Sequence, residues 1–418
     1  DTVLITGERL TYLGDQRTFT ISEQVVLKTP SSRLATSVLK YDRNTSTAYY
    51  LTRSTLERKD LRITSDLGQY NTEYELVRLR GNVVAIDSAF EMTTDTLLYY
   101  PNKNKYTFAG PTQFIKDSTL LFCSKGTYSA DVNLLELFGG AQMLAPKRYI
   151  AADSLYYSLN SEDGTLHGNA TVADSSEGFV LRSDFIDYKK SPVFVDAFSP
   201  VFYEQSMEED TIYAKGDTLV IRSSLDTSKT VHLFGQTSFF SEDFQGISPH
   251  FLFGEAEEEL VLYPSPTLWS GNSEFGADST VLKLVNNELD SLYMLANVTI
   301  ATKTKDSLYF DQTTGNILKG NFDENSMKSV RIDGNAQALL HNVSDDGAME
   351  GSNKSSCSWM KITFHEDAVE KIKMARDVEA NYIPNKSSSP EWLPGCQTIF
   401  DQRPHKTSLL APIVSDLE

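Results

Sequence analysis

Several things are scarce in this chain, and each scarcity excludes a class. No stretch approaches the roughly 18 to 20 uncharged apolar residues of a membrane-spanning helix, so an integral helical membrane protein is excluded. Cations are outnumbered, 38 Lys+Arg against 57 Asp+Glu, for a net charge of −19. A phosphate chain would be repelled, which argues against a nucleic-acid partner, and an anionic membrane surface would be no more attractive. Cysteine is rare: Cys123, Cys357 and Cys396 are too few for a disulfide framework and are not spaced for zinc. One pair could bridge in an oxidising compartment, and Cys357 with Cys396 is the expected one. Proline is nearly missing from the first hundred residues, where only Pro30 occurs, and helical Ala-Glu-Lys-Leu runs are almost absent. Histidine is sparse: His167, His232, His250, His341, His365 and His405 are scattered, with no HExxH or paired spacing for zinc. There is also no GxSxG elbow and no phosphate-binding loop.

Tyr (20) and Phe (22) are plentiful beside many Thr and Val, the usage of strands. The 418 residues exceed one compact core and suit several domains or one long repeat array. A repeat is present. Tyr12, Tyr41, Tyr70, Tyr99, Tyr128 and Tyr157 stand 29 residues apart, and Tyr188 follows after 31. Four residues earlier stand Glu8, Ser37, Asp66, Asp95, Ser124, Asp153 and Asp184. Eleven residues after the tyrosines comes a glycine column: Gly81, Gly110, Gly139 and Gly168.

Three apolar columns keep the same step. The first is Leu34, Ile63, Met92, Leu121 and Ile150. The second is Ile21, Tyr50, Leu79, Phe108, Leu137 and Leu166. The third is Leu27, Leu56, Ala85, Phe114, Met143 and Val172. At an apolar frequency near 0.4, six in a row has a chance of about 0.004 for one column, so aligned columns are not an accident. Turn residues follow each tyrosine, as in Pro101-Asn102-Lys103-Asn104, and apolar residues alternate between the turns. Each repeat therefore reads as a strand, a turn and a returning strand. A second bend is expected between the glycine and the next acidic residue, whose side chain would cap it. The glycine marks a sharp bend or a close approach of a neighbouring rung.

Past residue 190 the pattern loosens but persists in Asp217-Thr218-Leu219, Asp278-Ser279-Thr280, Asp306-Ser307-Leu308-Tyr309-Phe310 and Gly334-Asn335-Ala336. The expected organisation is a regular array over 1–190, divergent repeats over 191–375 and an irregular Pro-rich tail over 376–418. A kink is expected near Ser191–Glu209. A two-strand unit cannot bury its own apolar face, so stacking must join the faces into one lane. The fold expected is all-β and elongated, on the order of 100 Å at roughly 4.8 Å per strand. From periodicity alone the lane is more often a packed core than a ligand trough. Small residues facing Phe114 and Met143 favour the trough, because uneven filling suits a variable lipid.

The run of Asp-x-Leu-x-Tyr segments, each followed by a turn and a Gly-Asn-Val or Gly-Asn-Ala element, resembles the repeat of the LptA/OstA lipopolysaccharide transport family, and within it the long OstA-like proteins of Bacteroidetes. Pro264-Ser265-Pro266-Thr267-Leu268-Trp269 and Ala380-Asn381-Tyr382-Ile383-Pro384 extend the resemblance to about residue 384. It implies a β-jelly roll, or β-taco, of stacked two-strand repeats. It implies a non-enzymatic periplasmic protein, exported with its signal peptide removed and associated with the outer membrane. The start at Asp1 by itself fits either a cytosolic or a mature secreted chain. Lipid A acyl chains would lie on Leu34, Ile63, Met92, Leu121, Ile150, Leu79, Phe108, Leu137, Leu166, Phe114, Met143 and Val172. Partners would be lipopolysaccharide and other proteins of the same fold joined by strand addition, including the outer-membrane LptD barrel. No cofactor or metal is implied.

Three other readings belong beside this one. The array could be a sealed structural β-solenoid, or a polysaccharide-acting one, although no set of acid, base and cation on adjacent rungs can be assembled. Triplets such as Asp95-Thr96-Leu97 and Asp290-Ser291-Leu292 resemble the O-glycosylation signal of Bacteroidetes, but the repeat itself demands those residues. The tail, with Trp392 and Arg403-Pro404, reads either as a docking segment for the outer-membrane barrel or as a solvated tether.

Overall fold

The computed structural model describes residues 3–207, 210–223, 228–285, 288–304, 309–323, 326–344, 349–365, 368–384 and 391–409. The expected repeat element at Asp306-Ser307-Leu308 lies outside them. The chain divides into two compact units, one of residues 1–177 with 182–191, the other of 178–181 with 192–418.

The first unit is built of antiparallel strands, and from Leu76–Ile86 to Gly164–Asp174 each strand pairs with the next in the chain. Its regular part runs Lys105–Lys116, Thr119–Ser129, Leu134–Ala145, Arg148–Ser158 and Gly164–Asp174, two strands to each 29 residues. The tyrosines register against one another or against apolar residues, as in Tyr99 opposite both Val77 and Tyr106. Earlier rungs are split. Arg33–Asp42, for example, pairs with both Thr47–Tyr50 and Ser54–Arg58.

In the regular part paired strands slip register near the middle, because the glycine column on alternate strands is a bulge. Gly110 has φ +90°, and the register shifts between Ala109 and Thr112. The acidic column faces this bulge from the preceding strand. A Cβ on Gly110 would stand 2.8 Å from the Asp95 Cβ, so only glycine fits there. At the equivalent site Asp66 accepts hydrogen bonds from Asn82 Nδ2 at 2.7 Å and Arg53 Nη1 at 3.0 Å, and these hold its carboxyl below the usual range. The expected capping of the second bend is therefore corrected. The bends lie at 87–90, 117–118 and 146–147, and the acids sit half a strand away, against the bulge.

On either side of the bulge, alternate residues turn inward. Val77 and Leu79 are buried in one half of their strand, and Val83 and Ala85 in the other. The two halves face each other across one interior. Phe114, on the bend side of the bulge line, packs edge-on against Tyr128, on the turn side of it, with ring centroids 5.0 Å apart.

The second unit repeats the device with longer strands, up to the 18 residues of Ser326–Val343. Gly334 and Asn335, at φ +82° and +50°, reproduce Gly81 and Asn82 at +77° and +43°. A strand, Phe194–Ser206, occupies most of the expected kink region. The described part of the tail is not a tether. Glu379–Pro384 pairs with Met349–His365, and residues 391–409 pack on their own unit. The expected Cys357–Cys396 bridge is also corrected: all three cysteines are buried and free. The Cys357 Sγ turns to the Trp359 carbonyl, whereas the Cys396 Sγ turns to that of Ile300.

Candidate functional site

The twelve residues expected to line the lane all converge on the interior of the first unit. Leu34, Ile63, Met92, Leu121, Ile150, Leu79, Phe108, Leu137, Leu166, Phe114, Met143 and Val172 are each at most 2% exposed. The columns place them there because a 29-residue step returns each residue to the same half-strand and the same face. Aromatic rings fill the space between the halves. Phe90 stacks on Phe114 at 5.2 Å and meets Tyr106 and Tyr128 edge-on, and Tyr106 stacks on Tyr99 at 4.8 Å. The interior is closed, where an open trough was the alternative to a packed core.

Opposite the line of bulges, the turn ends of the strands meet the bend ends. Polar contacts bridge this margin at three levels. Arg58 pairs with Glu75 at 3.4 Å, Lys116 Nζ donates to Asn133 Oδ1 at 2.9 Å, and Arg148 pairs with Glu162 at 3.1 Å. Arg148 also holds Asp174 at 3.1 Å and lies over the Tyr188 ring. Burial pushes the Asp174 carboxyl up, but hydrogen bonds from Ser176 and Arg148 outweigh it and leave it below its ordinary value. Between the first two bridges the margin is interrupted. A cavity of about 310 Å³ opens there, lined by Arg58, Asp60 and Asp87 on one side and Asn102, Asn104 and Asp131 on the other, with Tyr99 and Tyr106 also in its wall. None of the twelve apolar residues lines it.

The tyrosine column sits just inside this margin. Burial pushes the phenols of Tyr128 and Tyr157 in this column up to about 12, and those of Tyr99 and Tyr188, with Tyr106 opposite Tyr99, upward as well. Neutral phenols thus stand between the charged rim and the apolar interior. The margin bridges were missed in the sequence, although a signal existed: Arg58 to Lys116 and Glu75 to Asn133 are both two steps of 29.

Two of the histidines come together in space. His232 and His250 meet across adjacent strands of the second unit, Nδ1 to Nε2 at 3.2 Å, with Phe234 stacked on His250. Desolvation, then Arg222, holds His232 below its ordinary pKa; desolvation, then His232, does the same for His250. No group of three or more metal-ligating side chains occurs among the described residues.

Strand pairing, a bulge repeated on alternate strands and an apolar interior define an all-β stacked-repeat protein of the jelly-roll kind. The comparisons narrow this for the N-terminal part: residues 1–95 match the family model described as OstA-like protein. A search of the curated proteins found no match. Among solved structures, one similar chain is LptH, the LptA-homologous periplasmic component of the lipopolysaccharide transport device of Pseudomonas aeruginosa. The alignment has 11% identity and a TM-score of 0.17, and it covers 33% of this chain and 82% of that one.

Proposed function

We propose that this chain is a non-enzymatic periplasmic carrier of lipopolysaccharide. The observation that carries the reading is the OstA-like match over residues 1–95, a stretch that contains the first turns of all three buried columns. Acyl chains enter between the half-sheets of the first unit, onto the twelve residues named above, while the sugars stay in water. The energetics permit opening. Each bridge at the margin is partly exposed and contributes on the order of 1 kcal/mol or less. An acyl chain of about a dozen methylenes gains about 10 kcal/mol on leaving water. The cavity between Asp87 and Asn104 is the natural place for the margin to part.

The first rung supports the partner reading. Leu10 and Tyr12 point inward like their counterparts but are 64% and 50% exposed, whereas Tyr70 in the same column is 3% exposed. Among the described residues, the strand Arg9–Leu13 has a paired neighbour on one side, Thr18–Lys28. A rung from a protein of the same fold, such as another bridge subunit or the LptD barrel, would cover these side chains and pair the other edge.

A second reading, a sealed structural array, is favoured by the near-complete burial of the twelve residues. The two separate on purification from the periplasm of a lipopolysaccharide-producing bacterium. The carrier should retain lipopolysaccharide in near-stoichiometric amount through salt washing. Lipid-free protein that also takes up none when it is added would support the sealed array.

A further inference from the structure

In a two-layer β-structure one face of each strand meets the core and the other meets water. One patch of the second unit breaks this rule. A single cross-strand row runs Gln245, Trp269, Glu274, Ala301, Gln312, Leu339, each opposite the next. All six are at most 5% exposed, yet their chain neighbours Leu268, Phe275 and Ala338 are buried too, on the opposite face. Both faces are covered here because residues 391–409 lie along the row.

The contacts follow the row in order. Glu391 pairs with Lys354, the residue opposite Leu339, at 2.7 Å. The Gln312 amide donates to the Glu391 carbonyl at 2.9 Å and accepts from the Leu393 amide at 2.7 Å. Leu393 and Cys396 bury against Ala301 and Leu339. The Ile399 amide donates to both oxygens of Glu274 at 3.0 Å, and Trp269 Nε1 donates to the same carboxylate at 2.9 Å. Arg403 donates to Gln245 Oε1 at 2.8 Å and to the Gly271 carbonyl at 2.7 Å.

This is the chemistry of extended-peptide recognition. A carboxamide reads the backbone in both directions, apolar seats take side chains three residues apart, and a terminal cation is fixed by carbonyl oxygens. The segment joins no strand ladder: side-chain contacts hold it, among them Trp392 and Phe400 against Phe310 and Lys303 over the Phe400 ring, and an element without backbone pairing can open locally below the free energy of global unfolding. We propose that the row from Gln245 to Leu339 is a docking surface for an extended peptide, occupied here by the chain's own residues 391–409 as a detachable strap. The peptide it fits carries apolar or small residues at every third position, as Leu393, Cys396 and Ile399 do, and an arginine four residues beyond the last.

Cys396 reports on the strap, because its thiol reacts only when the strap lifts. Cys123 and Cys357, inside the two units, serve as references. Maleimide modification of the full-length chain under native conditions should label Cys396 first. Arg403→Ala should speed that labelling about tenfold, the effect of losing a charged hydrogen-bond cluster, with the references unchanged. Arg331→Ala, an ion-pair variant elsewhere in the same unit, should not. An excess of synthetic peptide 391–409 carrying Cys396→Ser should also speed labelling of the intact protein by holding its strap off the row. Two results would overturn the strap: Cys396 reacting no faster than the references, or Arg403→Ala accelerating all three alike. A peptide without effect would overturn the docking surface.

Discussion

The glycine column shows how a single residue sets the geometry. Gly110 combines a positive φ with a neighbour that a Cβ would strike, whereas Gly140, at φ +77°, has nothing within 4 Å of where a Cβ would stand. Gly110→Ala should therefore lower stability by about 2 to 4 kcal/mol, and Gly140→Ala by only about 1 kcal/mol, from conformation alone. Urea midpoints compare the two, and equal losses would show that the Asp95 contact is not what demands glycine. The tyrosine column makes a second residue-level prediction. Tyr128 and Tyr157, and Tyr50 from the second apolar column, have their folded-state pKa pushed up to about 12, above the ordinary value of 10. The folded state holds these protons more tightly. Their contribution to stability should be constant below pH 10 and be lost as the pH rises from about 10 through 12. Phenolate absorbance should show that these buried tyrosines ionise only as the fold is lost.

At the scale of the element, much was legible in advance and some was not. The columns Leu34 to Ile150 and Leu79 to Leu166 placed the inward face correctly, because a period of two within strands and 29 between rungs leaves little freedom. The role of Asp66 and Asp95 was not legible, since a bulge partner and a bend cap demand the same residue types and only register tells them apart. Nor was the path of the tail. Gln245, Glu274 and Gln312 look like ordinary outward polar positions until a segment more than a hundred residues from the first of them crosses above. The margin bridges also belong to this scale. Arg58→Ala and Lys116→Ala should each cost less than about 1 kcal/mol, because the bridges are partly exposed, yet together they should hasten lipopolysaccharide uptake by the purified protein. Slower uptake would mean the margin is not the entrance. Asp174 gives the pH dependence of this region. Its folded pKa is depressed, so its contribution is present above about pH 4 and lost as the pH falls through its folded value. Asp174→Asn should flatten the acid limb of a thermal-midpoint profile; an unchanged limb would place the acid sensitivity elsewhere.

For the whole molecule, the open question about the lane, trough or core, turns on aromatic packing that columns of residue classes do not encode. Phe114 and Tyr128 meet across the interior of the first unit. Carrier function therefore requires that the closed interior yield to lipid, and this is the claim most in need of a direct test. A photo-crosslinking amino acid at Phe108, Phe114 or Met143, each at most 2% exposed, should form an adduct with lipopolysaccharide in living cells. The same probe at Tyr156, which is 40% exposed, should not. Adducts confined to the interior positions are the predicted result; none at any of the three, in protein that is folded and present in the periplasm, would contradict the account.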